Sequence, residues 1–225
     1  PVFATSWGVS TRMIGALIMV HGDDKGLKIP PRIAPNQVVI IPINPKNEDK
    51  EKFDNFVDTA HNMLKESSIR CSIDDSNNSP GFKFNNWELK GAPLRIDIGL
   101  KEFQSGSVTV CRRDTGEKEE MSIKALNTLT STLEDIQKGM YDSANSFLEE
   151  NTFELNDYNK FKKQLSNENC FIKAYWDGSD ASELKIKEQT KATIRCILKD
   201  VNDPNLKCIF SGEPAKHLVV FAKAY

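Results

Sequence analysis

The sequence predicts an α/β fold with a mixed sheet, followed by a small α+β region and preceded by the end of a different domain. Three observations carry this. Residues 38–43 are an unbroken apolar run of strand length, as expected for a strand covered on both faces. Phe53, Phe56, Val57, Ala60, Met63 and Leu64 then recur at three- and four-residue steps, which makes an amphipathic helix. Strand patterns return at 69–73, 94–98 and 107–112, and strands interleaved with helices imply a mixed sheet with helical cover.

The remaining elements follow in chain order. Residues 2–7 are short and β-prone, Gly8 breaks them, and Ser10 or Thr11 can cap a helix from about Arg12 to Val20. The cluster 21–26 reads as a turn. Pro30, Pro31 and Pro35 then stiffen the chain, because proline fixes φ and biases its predecessor to extended geometry. A domain boundary is expected there. Residues 74–81 read as a polar loop. Leu126, Leu129, Leu133, Ile136, Met140, Ala144 and Phe147 keep one face of a long helix apolar over about 122–150, with Gly139 as a point of interruption. A helix at 157–165 and strands at 171–175, 193–198 and 217–222 complete the chain. The expected division is 1–30, 31–125 and 126–225.

Composition narrows the function classes. The 225 residues carry 39% hydrophobic and 28% charged side chains, ordinary for a soluble protein, and a net charge of −2. That balance excludes a generally basic nucleic-acid coat, so RNA contact requires a local patch. No apolar run approaches the eighteen or so residues of a membrane span. Five cysteines, an odd number without framework spacing, suit a reducing compartment and hence a cytoplasmic protein. His21, His61 and His217 are not spaced as metal ligands.

The first candidate site is 5–12. Glycine lets a ligand approach the backbone closely, and an arginine at a helix start can stack on a base or pair with phosphate. The same residues also suit a buried tryptophan beside an exposed arginine. The run Thr5-Ser6-Trp7-Gly8-x-Ser10-Thr11-Arg12-x-Ile14-Gly15, continuing through His21-Gly22-Asp23-Asp24-x-Gly26-Leu27, closely resembles the third signature motif of prolyl-tRNA synthetases. Pro30-Pro31-x-x-Ala34-Pro35-x-Gln37-Val38-Val39-Ile40 is similar to that family's entry into its anticodon-binding domain. The subclass resembled is the eukaryotic and archaeal type.

The resemblance implies a class II enzyme that activates L-proline with ATP, accompanied by Mg2+, and acylates tRNA(Pro). It makes 1–30 the end of the antiparallel catalytic domain, with an anticodon-binding domain and a C-terminal domain after it. Ser10, Thr11 and Arg12 would contact ATP; Ser6, Trp7 and Gly8 would wall the proline pocket. The first two class II motifs are not found in this segment, so alone it is not expected to activate proline. The expected assembly is a homodimer with no DNA or membrane partner. A non-catalytic RNA-binding or accessory protein reusing the anticodon-binding fold is the alternative.

The second candidate site lies between residues 80 and 118. Single-stranded RNA is read by stacking and by hydrogen bonds to base edges, and arginine or lysine matches the O6/N7 edge of the two guanines in proline anticodons. The candidates are Glu88, Arg95, Asp97, Lys101, Arg112, Arg113 and Lys118. Two other readings stay open: Phe82, Phe84 and Trp87 as core, and Arg113 with Asp114 as a structural pair.

The third lies near the C-terminus. Relatives of the resembled subclass hold zinc with four cysteines spaced C-x4-C and C-x-C. Here Asp177 and Ser182 fall on the first pair, Cys208 keeps the third position and Phe210 takes the fourth. One thiolate does not make a closed tetrahedral site, so no zinc is expected, and Phe210 is expected to staple the region instead. Cys170 and Cys196 read as buried thiols. Tyr225, a terminal tyrosine as in the family, is expected to pack back on the catalytic domain.

Overall fold

The computed structural model describes residues 3–43 and 50–223. Tyr225 lies outside the described residues. The chain divides into two compact units, Pro1–Ser143 and Ala144–Tyr225. Residues 126–143 therefore go with the first unit and not with the C-terminal region, because Leu126, Leu129, Leu133, Ile136 and Met140 are buried in its core.

The first unit is built on a five-stranded mixed sheet. Strand β1 (Val38–Pro42) lies between parallel neighbours β2 (Cys71–Ile73) and β3 (Leu94–Ile98), and β4 (Ser107–Arg112) and β5 (Lys118–Ser122) add antiparallel, in the order β2-β1-β3-β4-β5. Helix α1 (Arg12–His21) precedes the sheet; α2 (Lys50–Glu66) joins β1 to β2, and α3 (Pro80–Lys90) joins β2 to β3. The two crossovers run in opposite directions along the sheet, so right-handed connections place their helices on opposite faces. Val38, Ile40, Leu94, Ile96 and Ile98 meet Phe53, Val57, Ala60 and Leu64 of α2 on one face. Val39, Ile41 and Ala92 meet Phe84 and Trp87 of α3 on the other.

Several elements depart from the sequence reading. Residues 3–9 form no strand, and Phe3, Trp7 and Val9 are almost fully exposed. A strand needs a ladder partner and a covered face, and this segment has neither in the described structure. The expected polar loop ends at Ser79, whose hydroxyl accepts from the Phe82 N–H and starts α3 with Pro80 in its first turn. A short helix α4 (Leu100–Ser105) and the charged edge strand β5 were not foreseen. The long helix opens as a 3-10 turn, Ile123–Thr128, before α5 (Leu129–Glu150), which runs through Gly139 without a break.

The second unit has a four-stranded sheet in the order β6-β7-β9-β8, comprising β6 (Thr152–Glu154), β7 (Phe171–Trp176), β8 (Ala192–Asp200) and β9 (His217–Lys223). Helices α6 (Tyr158–Asn167) and α7 (Asp180–Thr190) supply Phe161, Leu165 and Ile186 to its core. The Phe161 ring stands edge-on to Phe221 at 5.3 Å. Cys170 is buried as expected, but Cys196 is exposed. It sits on β8, an edge strand whose ladder with β9 is interrupted by two register shifts, and a strand at an edge has no second neighbour to cover it. All five cysteines are free thiols. Among the described residues no helix is long and apolar enough to cross a membrane.

Candidate nucleic-acid interface

β3 decides the chemistry of the α3 face. Leu94, Ile96 and Ile98 point into the core, so period-two alternation turns Arg95 and Asp97 to the opposite side. There both are buried and paired twice: Arg95 Nε donates to Asp97 Oδ1 at 2.9 Å and Nη2 to Oδ2 at 3.2 Å. The guanidinium carbon lies 4.1 Å from the centre of the Phe84 ring. Burial pushes the Asp97 carboxyl above the usual carboxylate range, with the Arg95 hydrogen bonds opposing it.

The ladder carries this polar face across the sheet. Arg95 pairs with Cys111, which pairs with Lys118; Asp97 pairs with Thr109, which pairs with Glu120. α3 closes one side with Trp87 and Glu88. Its register is fixed at the far end by Gly91, in the left-handed region at φ 76°, where an added Cβ would lie 2.4 Å from the Leu27 carbonyl oxygen. The resulting shallow pocket is lined by Trp87, Glu88, Arg95, Cys111, Arg112 and Arg113. Burial raises the Cys111 pKa, which keeps that thiol neutral near pH 7.

The arginines differ in their commitments. Arg112 is held by Asp114 through Nε at 3.0 Å and Nη2 at 2.7 Å, and its side chain remains partly exposed. Arg113 does not pair with Asp114. Its Nη1 and Nη2 donate to Asp23 at 3.0 and 2.6 Å and its Nε to the Glu88 carbonyl at 3.1 Å, which buries it under the strap 23–29. Lys101 is outside the pocket, on α4, in an exposed pair with Glu120 at 2.9 Å. Lys118 is exposed at the pocket's strand edge. The sequence reading thus brought Glu88, Arg95, Arg112 and Arg113 to one pocket with Asp97 behind Arg95.

It missed Cys111, Asp23 and the pair that anchors Trp87. The indole Nε1 donates to Asp74 Oδ2 at 2.7 Å, and buried Lys83 donates to the Asp74 carbonyl at 2.8 Å. The four-residue spacing of Lys83 and Trp87 on a capped helix is the signal that could have shown them on one face. Nothing local marks Asp23 as a partner of Arg113, ninety residues away.

Ser6, Trp7, Gly8, Ser10, Thr11 and Arg12 are all exposed and are not gathered into a pocket in the described structure. Thr11 stands at the N-cap of α1 without a side-chain cap; the Ser10 hydroxyl accepts weakly from the Arg12 N–H at 3.4 Å. α1 has no buried residue, and Met13, Ile14, Ile18 and Met19 are more than half exposed. From Gly26 onward the chain is docked on α3, with the Leu27 and Ile29 N–H groups donating to the Leu89 and Gly91 carbonyls, each at 3.1 Å.

In the second unit, Asp177 is the centre of a hydroxyl network. Oδ1 accepts from the Ser182 hydroxyl at 2.7 Å and the Ser179 N–H at 2.9 Å, and Oδ2 from the Ser211 hydroxyl at 2.6 Å. The Trp176 indole donates to Ser182 at 2.8 Å. Phe210 packs edge-on to Tyr158 at 5.1 Å. Burial works to raise the Asp177 pKa, but the hydrogen bonds from Ser211, Ser179 and Ser182 prevail and bring it from 3.8 to about 2. A depressed folded-state pKa contributes stability above the unfolded value that is lost as pH falls through the folded one. The stability gap between wild type and Asp177→Asn, measured by urea unfolding, is therefore expected to shrink as pH drops from about 4 toward about 2. A gap that stays constant over that range would refute the role given to this carboxylate.

Comparison with known proteins bears on both units. Residues 37–131 match the family model described as anticodon binding domain, and residues 158–225 match that of the prolyl-tRNA synthetase C-terminal domain. Proline–tRNA ligases of Flavobacterium johnsoniae, Chlorobium chlorochromatii and Cytophaga hutchinsonii are 45%, 46% and 46% identical over 226, 235 and 226 residues, covering 100% of this chain in each case. The chain carries an anticodon-binding domain and a prolyl-tRNA synthetase C-terminal domain, and matches a C-terminal fragment of proline–tRNA ligases along its whole length. It spans 46%, 48% and 46% of those three relatives, about half their length. The anticodon-binding match falls within the first unit and holds the whole pocket; the prolyl-tRNA synthetase C-terminal match falls within the second. The zinc implied for the resembled subclass does not fit the residues present. Asp177 and Ser182 are joined in a hydrogen-bond network, Phe210 has no donor atom, and Cys208 is the one thiol of the four.

Proposed function

We propose that the whole protein is a cytoplasmic, homodimeric proline–tRNA ligase, and that this chain supplies its third motif, its anticodon reader and its C-terminal domain. The single observation that carries the proposal is the arginine-lined pocket inside the anticodon-binding match. In the proposed reaction, the proline carboxylate attacks the α-phosphorus of ATP and pyrophosphate leaves. The terminal ribose hydroxyl of tRNA(Pro) then attacks the prolyl carbonyl and AMP leaves. Mg2+ belongs to the nucleotide substrate, whose phosphate charge it offsets.

Within this chain, the planar Arg12 guanidinium stacks on the adenine, with Ser10 and Thr11 beside the nucleotide. Ser6, Trp7 and Gly8 form the wall against the pyrrolidine ring. Exposure of this segment and of the apolar face of α1 is what such a reading requires, since both would be covered by the remainder of a catalytic domain. Glu88, Arg95 and Arg112 read the anticodon, Asp97 and Asp114 hold the two arginines in orientation, and Lys101 and Lys118 face the RNA backbone. An aligned guanidinium gains most from the O6/N7 edge of guanine, which the proline anticodons offer twice.

Arg112→Ala tests the division of labour. It is expected to leave proline-dependent ATP–pyrophosphate exchange intact and to lower kcat/KM for tRNA(Pro) charging by about tenfold to a hundredfold, the effect of losing one good base contact. Equal losses in both assays would overturn the assignment.

A further inference from the structure

We propose that the Asp23–Arg113 pair is a positioning link through which RNA in the pocket fixes the turn closing α1, so that anticodon occupancy tunes aminoacyl transfer. The inference rests on the ligase reading above and deepens it. Four connections on one path carry it.

At the pocket end, Arg113 follows Arg112, and both line the site. Their turn is stiff: the Arg113 N–H donates to the Pro93 carbonyl at 3.0 Å, and the Gly116 N–H to that of Arg112 at 3.0 Å. Glu88 also belongs to both ends, since it lines the pocket while its carbonyl accepts from Arg113 Nε. A ligand that moves Arg112 or Glu88 therefore bears directly on Arg113.

At the other end, Asp23 organises the turn after α1. Besides the two Arg113 bonds, its carboxylate accepts from the Lys25 and Gly26 N–H groups at 3.0 and 3.2 Å and lies 3.1 Å from Lys28 Nζ. The Arg113 hydrogen bond is the largest cause holding its carboxyl well below the usual carboxylate range. The turn joins α1 directly, with the Gly22 N–H closing on the Ile18 carbonyl at 2.8 Å. Between the ends, Gly26 at φ 137° brings the strap so close to α3 that a Cβ would lie 2.5 Å from the Leu89 Cα. Backbone contacts of that kind transmit displacement instead of absorbing it.

A bidentate guanidinium–carboxylate pair whose arginine is buried gives geometric specificity beyond its charge. It connects the reading of the anticodon to the helix that begins at Arg12, and so to the expected nucleotide site. Asp23 does not itself line the pocket and lies outside the nucleotide segment; it acts through Arg113 and is a positioning residue.

The test compares the whole protein with Asp23→Asn and Asp23→Glu in three measurements: proline-dependent exchange, charging of tRNA(Pro), and charging of the same tRNA with both anticodon guanines replaced. In Asp23→Asn, exchange is expected to be unchanged and KM for tRNA nearly so. Its kcat with intact tRNA is expected to fall at least tenfold, while the already low kcat with the altered tRNA stays the same. Asp23→Glu restores most of the difference. A kcat that falls equally on both tRNAs, or not at all, overturns the link. A wild-type protein that charges both tRNAs alike overturns the anticodon reading and the link with it, and one that charges neither overturns the ligase reading itself. Where Asp23→Asn does not fold, Asp23→Ser carries the same comparison, since a serine hydroxyl can still accept within the 23–26 turn but removes the carboxylate that holds Arg113.

Discussion

Asp97→Ala is expected to lower the unfolding free energy by about 3–5 kcal/mol, the cost of leaving a buried charge without its partner. Arg95 is nine-tenths buried between α3 and the sheet, and both of its bonds to Asp97 are lost in this variant. Among the described residues, the remaining guanidinium keeps the Phe84 ring at 4.1 Å and no hydrogen-bond acceptor. The double variant Arg95→Met/Asp97→Val is expected to recover most of the loss, because it removes both desolvated charges at once. Burial dominates the upward shift of Asp97, which agrees with a pair that costs about as much to desolvate as its attraction returns. The pair's value would then lie in orienting Arg95 in the pocket. Urea denaturation of the single and double variants checks this. A single variant within about 1 kcal/mol of wild type would show that Arg95 finds water or another acceptor.

Arg12→Ala gives the opposite pattern. In the whole protein, proline-dependent ATP–pyrophosphate exchange is expected to fall by about thirtyfold or more, the loss of a desolvated cation–π contact of about 2 kcal/mol on the adenine. Stability should stay within about 0.5 kcal/mol, since Arg12 is exposed and α1 buries none of its residues here. Arg12→Lys should recover only a small part of the exchange, because an ammonium cannot stack as a guanidinium does. Undiminished exchange in Arg12→Ala would remove this residue from the nucleotide site.

Periodicity made the first unit legible where burial is one-sided or complete. β1, α2, β3 and β4 follow apolar patterns of two, of three and four, or of unbroken length, because each packs against a core that selects those positions, and β9 of the second unit does the same. Elements without an apolar face were not readable in this way. β5, of sequence Lys-Glu-Glu-Met-Ser, is a strand because β4 offers it a ladder, not because its side chains prefer one. α3 was hidden by its own composition, since Pro80 and Gly81 read as loop until Ser79 is seen to cap them. The alternation in β3 marks a strand, but alternation alone does not show that its polar face is buried under α3.

The candidate site divides along the same line. The residue types at Trp87, Glu88, Arg95, Arg112 and Arg113 were enough to mark an arginine- and aromatic-rich region. Which arginine is available to a ligand was not. Arg112 and Arg113 are adjacent in sequence and alike in chemistry, yet one leans on Asp114 at the pocket mouth and the other is committed to Asp23, ninety residues away. By itself, the sequence determined the strands, the amphipathic helices, the family resemblance and the loss of three of four thiol positions, because each is a pattern of side-chain type along the chain. Only the tertiary structure decided the pairing of the charges and the docking of the 23–29 strap on α3. Those depend on which groups share a few ångströms of desolvated space, and that is set by topology and backbone approach, not by spacing along the chain.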